Sequence, residues 1–390
     1  MPPRSSQRKR SGAVFALMVM AVAGVLCMPG RAADLRVHQT RYYVLHTDLD
    51  ERHVLEAKLR LGLMAEEYNR RLQGLAGTVR DRLPFYLFKN MKDYLAAGGP
   101  PGSAGVFDGT KLMALASEKY PAEMWATVQH EGFHQFLLAA VGPGIPIWAN
   151  EGLAEYFAHG QFTGDQFLTG LIPPARLAVV KEKIRKGSFK PLVDMVRLKH
   201  AVWNVEMDGS NYDQAWSMVH FLAHADDGRY QQPFLAFLRE VSRRMEPERA
   251  WRQQFGDDFG AFERRWSEWW LEQPENPTAD LYGEVVLSTL TSFYARARAM
   301  KQSFASADEF FEQAKEAKLQ AHPEDWLPPW LLEQALKAAP HVGTWSLTGP
   351  KNRQILVLTL PSGRVLEGHF TIKGERVTGV EIRQGRRSRR

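Results

Sequence analysis

Apolar residues recur along this chain with two different periods, and the changes of period mark its elements. Residues 41–46 read as a strand. Over residues 51–73, Leu55, Leu59, Leu63, Met64 and Tyr68 fall near helical spacing and predict a long amphipathic helix. Residues 84–88 predict a second strand, after which Asn90 caps a short helix that ends in the Gly/Pro run 98–102. Residues 105–107 and 112–115 read as a hairpin around Asp108 and Gly109. Pro121 suits a first helical position and Gly142 a stop, and between them Trp125, Val128, Phe133, Leu137 and Leu138 supply a buried face. A rigid turn over 141–146 follows. Asn150 is a good N-cap, which predicts a second helix starting at Glu151.

Residues 151–271 read as mostly helical. Met218, Phe221 and Leu222 mark one core face, Phe234, Phe237, Leu238 and Val241 another, and Phe259, Phe262, Trp266, Trp269 and Trp270 a third. The tryptophans read as packing, with a carbohydrate platform as the alternative. Residues 273–277 look like a linker, and 285–320 and 330–339 read as helices. From Gly343 the period changes to that of strands, at 344–348, 354–360, 364–372 and 376–382, separated by Gly and Pro turns.

The N-terminus changes the reading of charge and compartment. Arg4, Arg8, Lys9 and Arg10 precede an apolar run from Ala13 to Met28, and small residues follow near Ala32 and Ala33, as in a secretory leader. The expected location is therefore exported, periplasmic or extracellular, with no stable membrane span once the leader is cleaved; an uncleaved membrane anchor is the alternative. The formal charge of +6 includes Arg31 and those four leader bases, so cleavage leaves 45 basic and 44 acidic residues, a net of +1. That balance argues against a nucleic-acid partner. The one cysteine, Cys27, lies in the leader, so the exported chain has neither disulfides nor a cysteine nucleophile. Arginines at 383, 386, 387, 389 and 390 form a basic tail.

His130-Glu131-Gly132-Phe133-His134 carries the chemistry. On a helix, residues i and i+4 share a face, so His130 and His134 can present both imidazoles to one metal ion, with Glu131 beside it as a base. On the motif alone, an ordinary helix with two surface histidines stays open. Glu151 supplies the missing carboxylate if the next helix folds back, and two imidazoles plus a carboxylate with an open fourth position is the usual catalytic set for Zn2+. Glu155, one turn further, can accept from the free ring nitrogen of a ligand histidine; otherwise it is a solvated surface acid. His220 and His224 make a second i,i+4 pair without a carboxylate at useful spacing.

At these residues the chain resembles the gluzincins, HExxH metallopeptidases whose third ligand is a glutamate on the following helix, and looks closest to peptidase-MA-like bacterial proteins. The matching pieces are the HEGFH motif, the block from Trp148 through Tyr156, and a later block from Tyr212 to Trp216. Sixteen residues separate His134 from Glu151, slightly fewer than in the best-known members. The resemblance implies an α+β fold: a zincin-like domain over 34–272 (a small mixed sheet with the motif helix, then a mainly helical subdomain). Before it comes the signal peptide, 1–33. After it come a linker and helical segment, 273–340, a small β module, 341–383, and the tail, 384–390. It implies hydrolysis of a peptide or protein substrate by zinc-activated water, with Glu131 as general base. It also implies that a downstream tyrosine, here Tyr212, donates to the oxyanion; a packing role at a helix start is the equal alternative for Tyr212. Three other expectations stand beside this one: a non-catalytic envelope binding or assembly protein on a peptidase-like scaffold, an envelope-binding protein whose function lies in the C-terminal β module, and a zinc hydrolase acting on another amide.

Overall fold

The computed structural model describes residues 34–385 apart from 76, 78, 80, 118, 120, 207 and 208. The expected leader and residues 386–390 of the basic tail lie outside the described residues. The architecture is α+β, with a mixed sheet near the N-terminus, a helical middle and a small C-terminal sheet.

The first sheet contains β1 (Arg36–Gln39), β2 (Tyr43–Thr47), β3 (Leu83–Phe88), β4 (Gly105–Phe107) and β5 (Leu112–Leu115), in the order β1-β2-β3-β5-β4. β2, β3 and β5 are parallel, while β1 and β4 pair antiparallel at the two edges. β1 carries only one apolar residue, Val37, which is exposed, so no period announces it; pairing with β2 creates it. Parallel neighbours need a crossover, and α1 (Glu51–Arg71) supplies it between β2 and β3. Asp50 caps α1 by accepting from the N–H groups of Arg52 and His53, and Arg70 and Arg71 face its negative end. Strand alternation splits the sheet's side chains. Leu45, Phe85 and Leu112 join the main core with α1 and the motif helix, whereas Phe88 and Met113 pack with Tyr94 of α2 (Met91–Ala96) in a small separate cluster.

The motif helix is α3 (Pro121–Ala140), and Gly142 ends it at φ +89°, donating its N–H to the carbonyl of Leu138. α4 (Ile147–Ala158) begins four residues earlier than its expected start at Glu151. Pro146, not Asn150, occupies the cap position. The amides of Ala149 and Asn150 already bond to the Pro146 carbonyl, so Asn150 lies inside the first turn and its side chain is free for another task.

A two-stranded ribbon, β6 (Gln161–Phe162) with β7 (Phe167–Leu168), precedes, among the described residues, seven helices. They are α5 (Pro174–Arg185), α6 (Leu192–Arg197), α7 (His200–Glu206), α8 (Gly209–His224), α9 (Gln231–Ser242), α10 (Pro247–Phe255) and α11 (Phe259–Glu272). α8 is helical from Gly209, so Tyr212 lies in its first turn. Trp266 and Trp270 are buried and Trp270 donates to the Ser217 carbonyl, so this cluster packs the helices together.

The helix expected over 285–320 is two helices. α12 (Ala279–Ala299) starts earlier and stops before Lys301, which sits at φ +64°; α13 (Ala307–Lys315) restarts from Ser306, whose hydroxyl accepts from Glu309 N–H. After α14 (Pro329–Val342), strands β8 (Thr344–Thr348), β9 (Ile355–Thr359), β10 (Val365–Lys373) and β11 (Arg376–Gln384) form an antiparallel sheet ordered β11-β10-β9-β8. Its Leu356, Leu358 and Leu366 are buried in the same continuous core as the motif helix. Among the described residues, no helix is long and apolar enough to cross a membrane.

α4 packs tightly against α8 beside Gly152. A Cβ on residue 152 would stand 2.5 Å from the Ala215 carbonyl oxygen and 2.8 Å from a methyl of Val219. Backbone cannot yield as a flexible side chain does. Gly152→Ala is therefore expected to lower unfolding stability by about 1–3 kcal/mol or somewhat more, read as a fall in the denaturant midpoint with unchanged m.

Candidate metal centre

α3 and α4 face each other across the cleft, and two side chains fix their spacing. Gln129, next to His130, donates through Nε2 to the carbonyls of Phe157 (3.1 Å), Ala158 (2.9 Å) and Gly160 (3.0 Å), closing the C-terminal end of α4. Tyr68 of α1 in turn donates to the Gln129 carbonyl at 2.7 Å.

This places His130, His134 and Glu151 together. The two histidine Nε2 atoms are 3.1 Å apart, and Glu151 Oε2 lies 3.4 Å from that of His130 and 3.6 Å from that of His134. The other ring nitrogens have acceptors: His130 Nδ1 is 3.2 Å from Glu155 Oε1, and His134 Nδ1 is 2.9 Å from Asn150 Oδ1. With their protons on Nδ1, both rings turn an Nε2 lone pair toward the Glu151 carboxylate. Three lone pairs at that separation repel unless a cation lies among them. A tetrahedral ion with bonds of about 2.0–2.1 Å sets its ligand atoms about 3.3–3.4 Å apart, inside the spread seen here. The three residues can hold a metal ion. The donor set is consistent with zinc without singling it out.

The electrostatics agree. Burial pulls the imidazolium of His130 down, but Glu151 and Glu155 outweigh burial and hold it well above its ordinary value. Burial likewise opposes charge on Glu151, yet the two histidines bring it down to about 2. The group thus attracts positive charge, as protons or as a metal ion that displaces them.

Glu131 stands apart from the three ligands. Its Oε2 accepts the Phe107 N–H at 2.8 Å, from edge strand β4, and its buried Oε1 has no hydrogen-bond partner among the described residues. Burial raises its pKa, against the pull of His130 and His134. That combination suits a base which must also release its proton. Tyr212, half-buried on α8, lines the same cleft of about 440 Å³ and packs edge-on against Trp203 with ring centroids 4.9 Å apart. Burial, then Glu151, pushes its hydroxyl pKa up, so the phenol stays a proton donor at neutral pH.

Three contributors were not foreseen. Asn150, read as a cap, orients His134. α7 brings His200, Trp203 and Asn204 to the cleft wall. Arg176 of α5 bonds to Glu155 Oε2 at 2.7 Å and lies over the Trp216 ring at 4.4 Å. The sequence signal for Arg176 was indirect: Asp213 and Trp216, which hold it, belong to the second block of the resemblance. The pair His220 and His224 stays outside the centre. His220 is buried against Trp216, Tyr156 and Trp270, and His224 Nε2 meets the Tyr156 hydroxyl at 3.0 Å; among the described residues, no carboxylate completes a ligand set with them.

Residues 124–247, which contain His130, Glu131, His134, Asn150, Glu151, Glu155, Arg176 and Tyr212 but neither Tyr68 nor Phe107, match the family described as Protein of unknown function (DUF1570). No curated protein matches the chain.

Elemental analysis of the purified protein is expected to find near-stoichiometric metal, lost in His134→Ala. Glu151→Ala should weaken metal binding far more than Glu155→Ala, because one removes a ligand and the other a partner of a ligand; equal losses would contradict this assignment. The second histidine pair gives a pH prediction. Burial holds His220 well below its ordinary value, and burial and Arg71 bring His224 down to about 4. Their neutral forms are native, so their contribution is complete above the unfolded-state pKa of about 6.5 and is lost as pH falls from there toward about 4. In chelator, urea midpoints should drop across that window, and His220→Phe should flatten the drop.

Proposed function

We propose that this protein is an exported, zinc-dependent metallopeptidase with a zincin-like domain of the gluzincin kind. The observation that carries this reading is the convergence of His130, His134 and Glu151 with Glu131 held beside them by a backbone amide. The secretory pattern of the N-terminus supports export. The chemistry zinc supplies when bound is polarisation of a carbonyl oxygen and acidification of water.

The chain's own groups do the rest. Glu131, fixed by Phe107 N–H, accepts the proton as water attacks the scissile carbonyl, then returns it to the leaving amine nitrogen when the C–N bond breaks. The Tyr212 hydroxyl donates to the oxygen on which negative charge develops. Asn150 and Glu155 keep the two imidazoles turned inward through both steps. An extended peptide or protein substrate lies along β4, the open edge of the mixed sheet, which places its backbone beside Glu131.

Glu131→Gln is expected to keep metal and fold while hydrolysis falls by about 10²–10⁴-fold. Tyr212→Phe should cost about 10²-fold in kcat with little change in metal content. Mass-spectrometric reading of a peptide library incubated with zinc-loaded protein checks both. Full activity in Glu131→Gln rules out the mechanism. Stoichiometric zinc without cleavage of any peptide favours an envelope binding or assembly protein.

A further inference from the structure

Glu155 lies one turn beyond Glu151 on the same face of α4, so two carboxylates point toward one centre. Only Glu151 approaches both Nε2 atoms. What separates their roles is a cation from elsewhere in the fold. Arg176 Nη1 takes Glu155 Oε2 at 2.7 Å, leaving Oε1 for His130 Nδ1 at 3.2 Å. The guanidinium has four further neighbours. It lies over Trp216, its Nη1 also meets His159 Nε2 at 2.5 Å, its Nη2 reaches the Tyr212 carbonyl at 3.5 Å, and its Nε is at ion-pair distance, 3.4 Å, from Asp213 Oδ1. Asp213 is pinned in turn by Lys183 Nζ at 3.0 Å. Arg176 is mostly buried, with 13% of its side chain exposed, so ordinary surface pairing does not explain it.

We propose that Arg176 is the positioning residue of the metal centre: by engaging one oxygen of Glu155 it keeps that carboxylate as the acceptor for His130 and prevents it from turning to compete with Glu151 as a ligand. The inference rests on the metal site proposed above, not on peptide hydrolysis. Charge supports it. Glu131, Glu151 and Glu155 bring three negative charges to one buried cluster, and a divalent ion leaves one uncompensated. Arg176 supplies it. A lysine has the charge but not the planar fork that meets Glu155 and Asp213 together. Because the same guanidinium reaches the Tyr212 backbone, it also ties the carboxylate behind His130 to the start of the strip of α8 that carries the proposed oxyanion donor.

The test uses the purified protein, Zn2+ competed against a chromophoric chelator, and Co2+ as a visible-absorption probe, with circular dichroism melting as the folding check. Arg176→Gln is expected to weaken Zn2+ binding by about 10–100-fold, the usual effect of losing a partner behind a ligand, and to change the Co2+ band pattern as Glu155 joins the coordination. Arg176→Lys should fall between. In a Glu155→Gln background Arg176→Gln should add nothing, since the arginine acts through that carboxylate; a merely structural arginine would add its full loss there. Wild-type affinity and spectrum in a folded Arg176→Gln overturn the proposal, as does full additivity with Glu155→Gln. Should Arg176→Gln not fold, Arg176→Lys decides, an intermediate loss being expected and wild-type affinity and spectrum overturning it. A wild type that takes up neither ion overturns the metal reading and this proposal with it, whereas metal uptake that ignores Arg176 overturns this proposal alone.

Discussion

Charge buried without compensation is the constraint on which this architecture turns. Glu131, Glu151 and His130 are all nearly inaccessible, and Glu155 and Arg176 are largely so. Removing an isolated carboxylate from water costs on the order of several kcal/mol even after relaxation, so such a cluster persists only if each member is answered by another. The answers come from separate parts of the chain. A strand edge offers the Phe107 amide to Glu131, α5 offers Arg176 to Glu155, and Asn150 takes the Nδ1 proton of His134. What stays unanswered is a set of ligand atoms directed at one point, a group that can hold a metal ion.

Holding those groups requires helices that meet closely and do not slide. Gln129 fastens the end of α4 from within the motif helix, and the absent Cβ at Gly152 lets α8 lie against the other side of α4. The two sequence blocks that stand out from the rest are therefore the two faces of one helix crossing. One bears Glu151 and Glu155, and the other bears Asp213 and Trp216, which steady the arginine behind Glu155. Gln214, between them, uses both ends of its amide on the backbone of Lys190, tying α8 to the segment after α5.

The C-terminal sheet belongs to the same body. It packs on α12, where Gly368 comes so close to Thr291 that a Cβ would stand 2.0 Å from the threonine hydroxyl. Buried Arg296 of α12 then pairs with Asp165, in the turn of the β6–β7 ribbon, and with Asp325, ahead of α14. Asp325 also accepts the Val377 N–H of β11, so a chain of polar contacts runs from the sheet to the ribbon that follows α4. The proposed reaction places no residue of this sheet at the metal. Its physical role on these contacts is to bury α12.

Local rules were enough for much of the chain. The helical spacing of Leu55, Leu59, Leu63 and Tyr68, the cap Asn90, Pro121 before the motif and Gly142 after it, and the alternation after Gly343 each act over a few residues, so the elements they define could be read without knowing their neighbours. The pair His130 and His134 is of the same kind, since helical periodicity alone puts both on one face. Where two local signals competed, the sequence was ambiguous: Asn150 has the chemistry of a cap, but Pro146 had already fixed the start of α4, and the asparagine turned to His134 instead. β1 had no period of its own and exists because β2 offers it an edge. Arg176 lies 42 residues from His134 and 37 before Asp213, and nothing in its immediate surroundings distinguishes it from the other arginines. Spacing along the chain determined which residues can share a helix face. Which faces meet, which carboxylate acts as ligand and which as acceptor were decided only by tertiary packing, because hydrogen bonds and charge compensation depend on distance in space, and separation in sequence does not limit them.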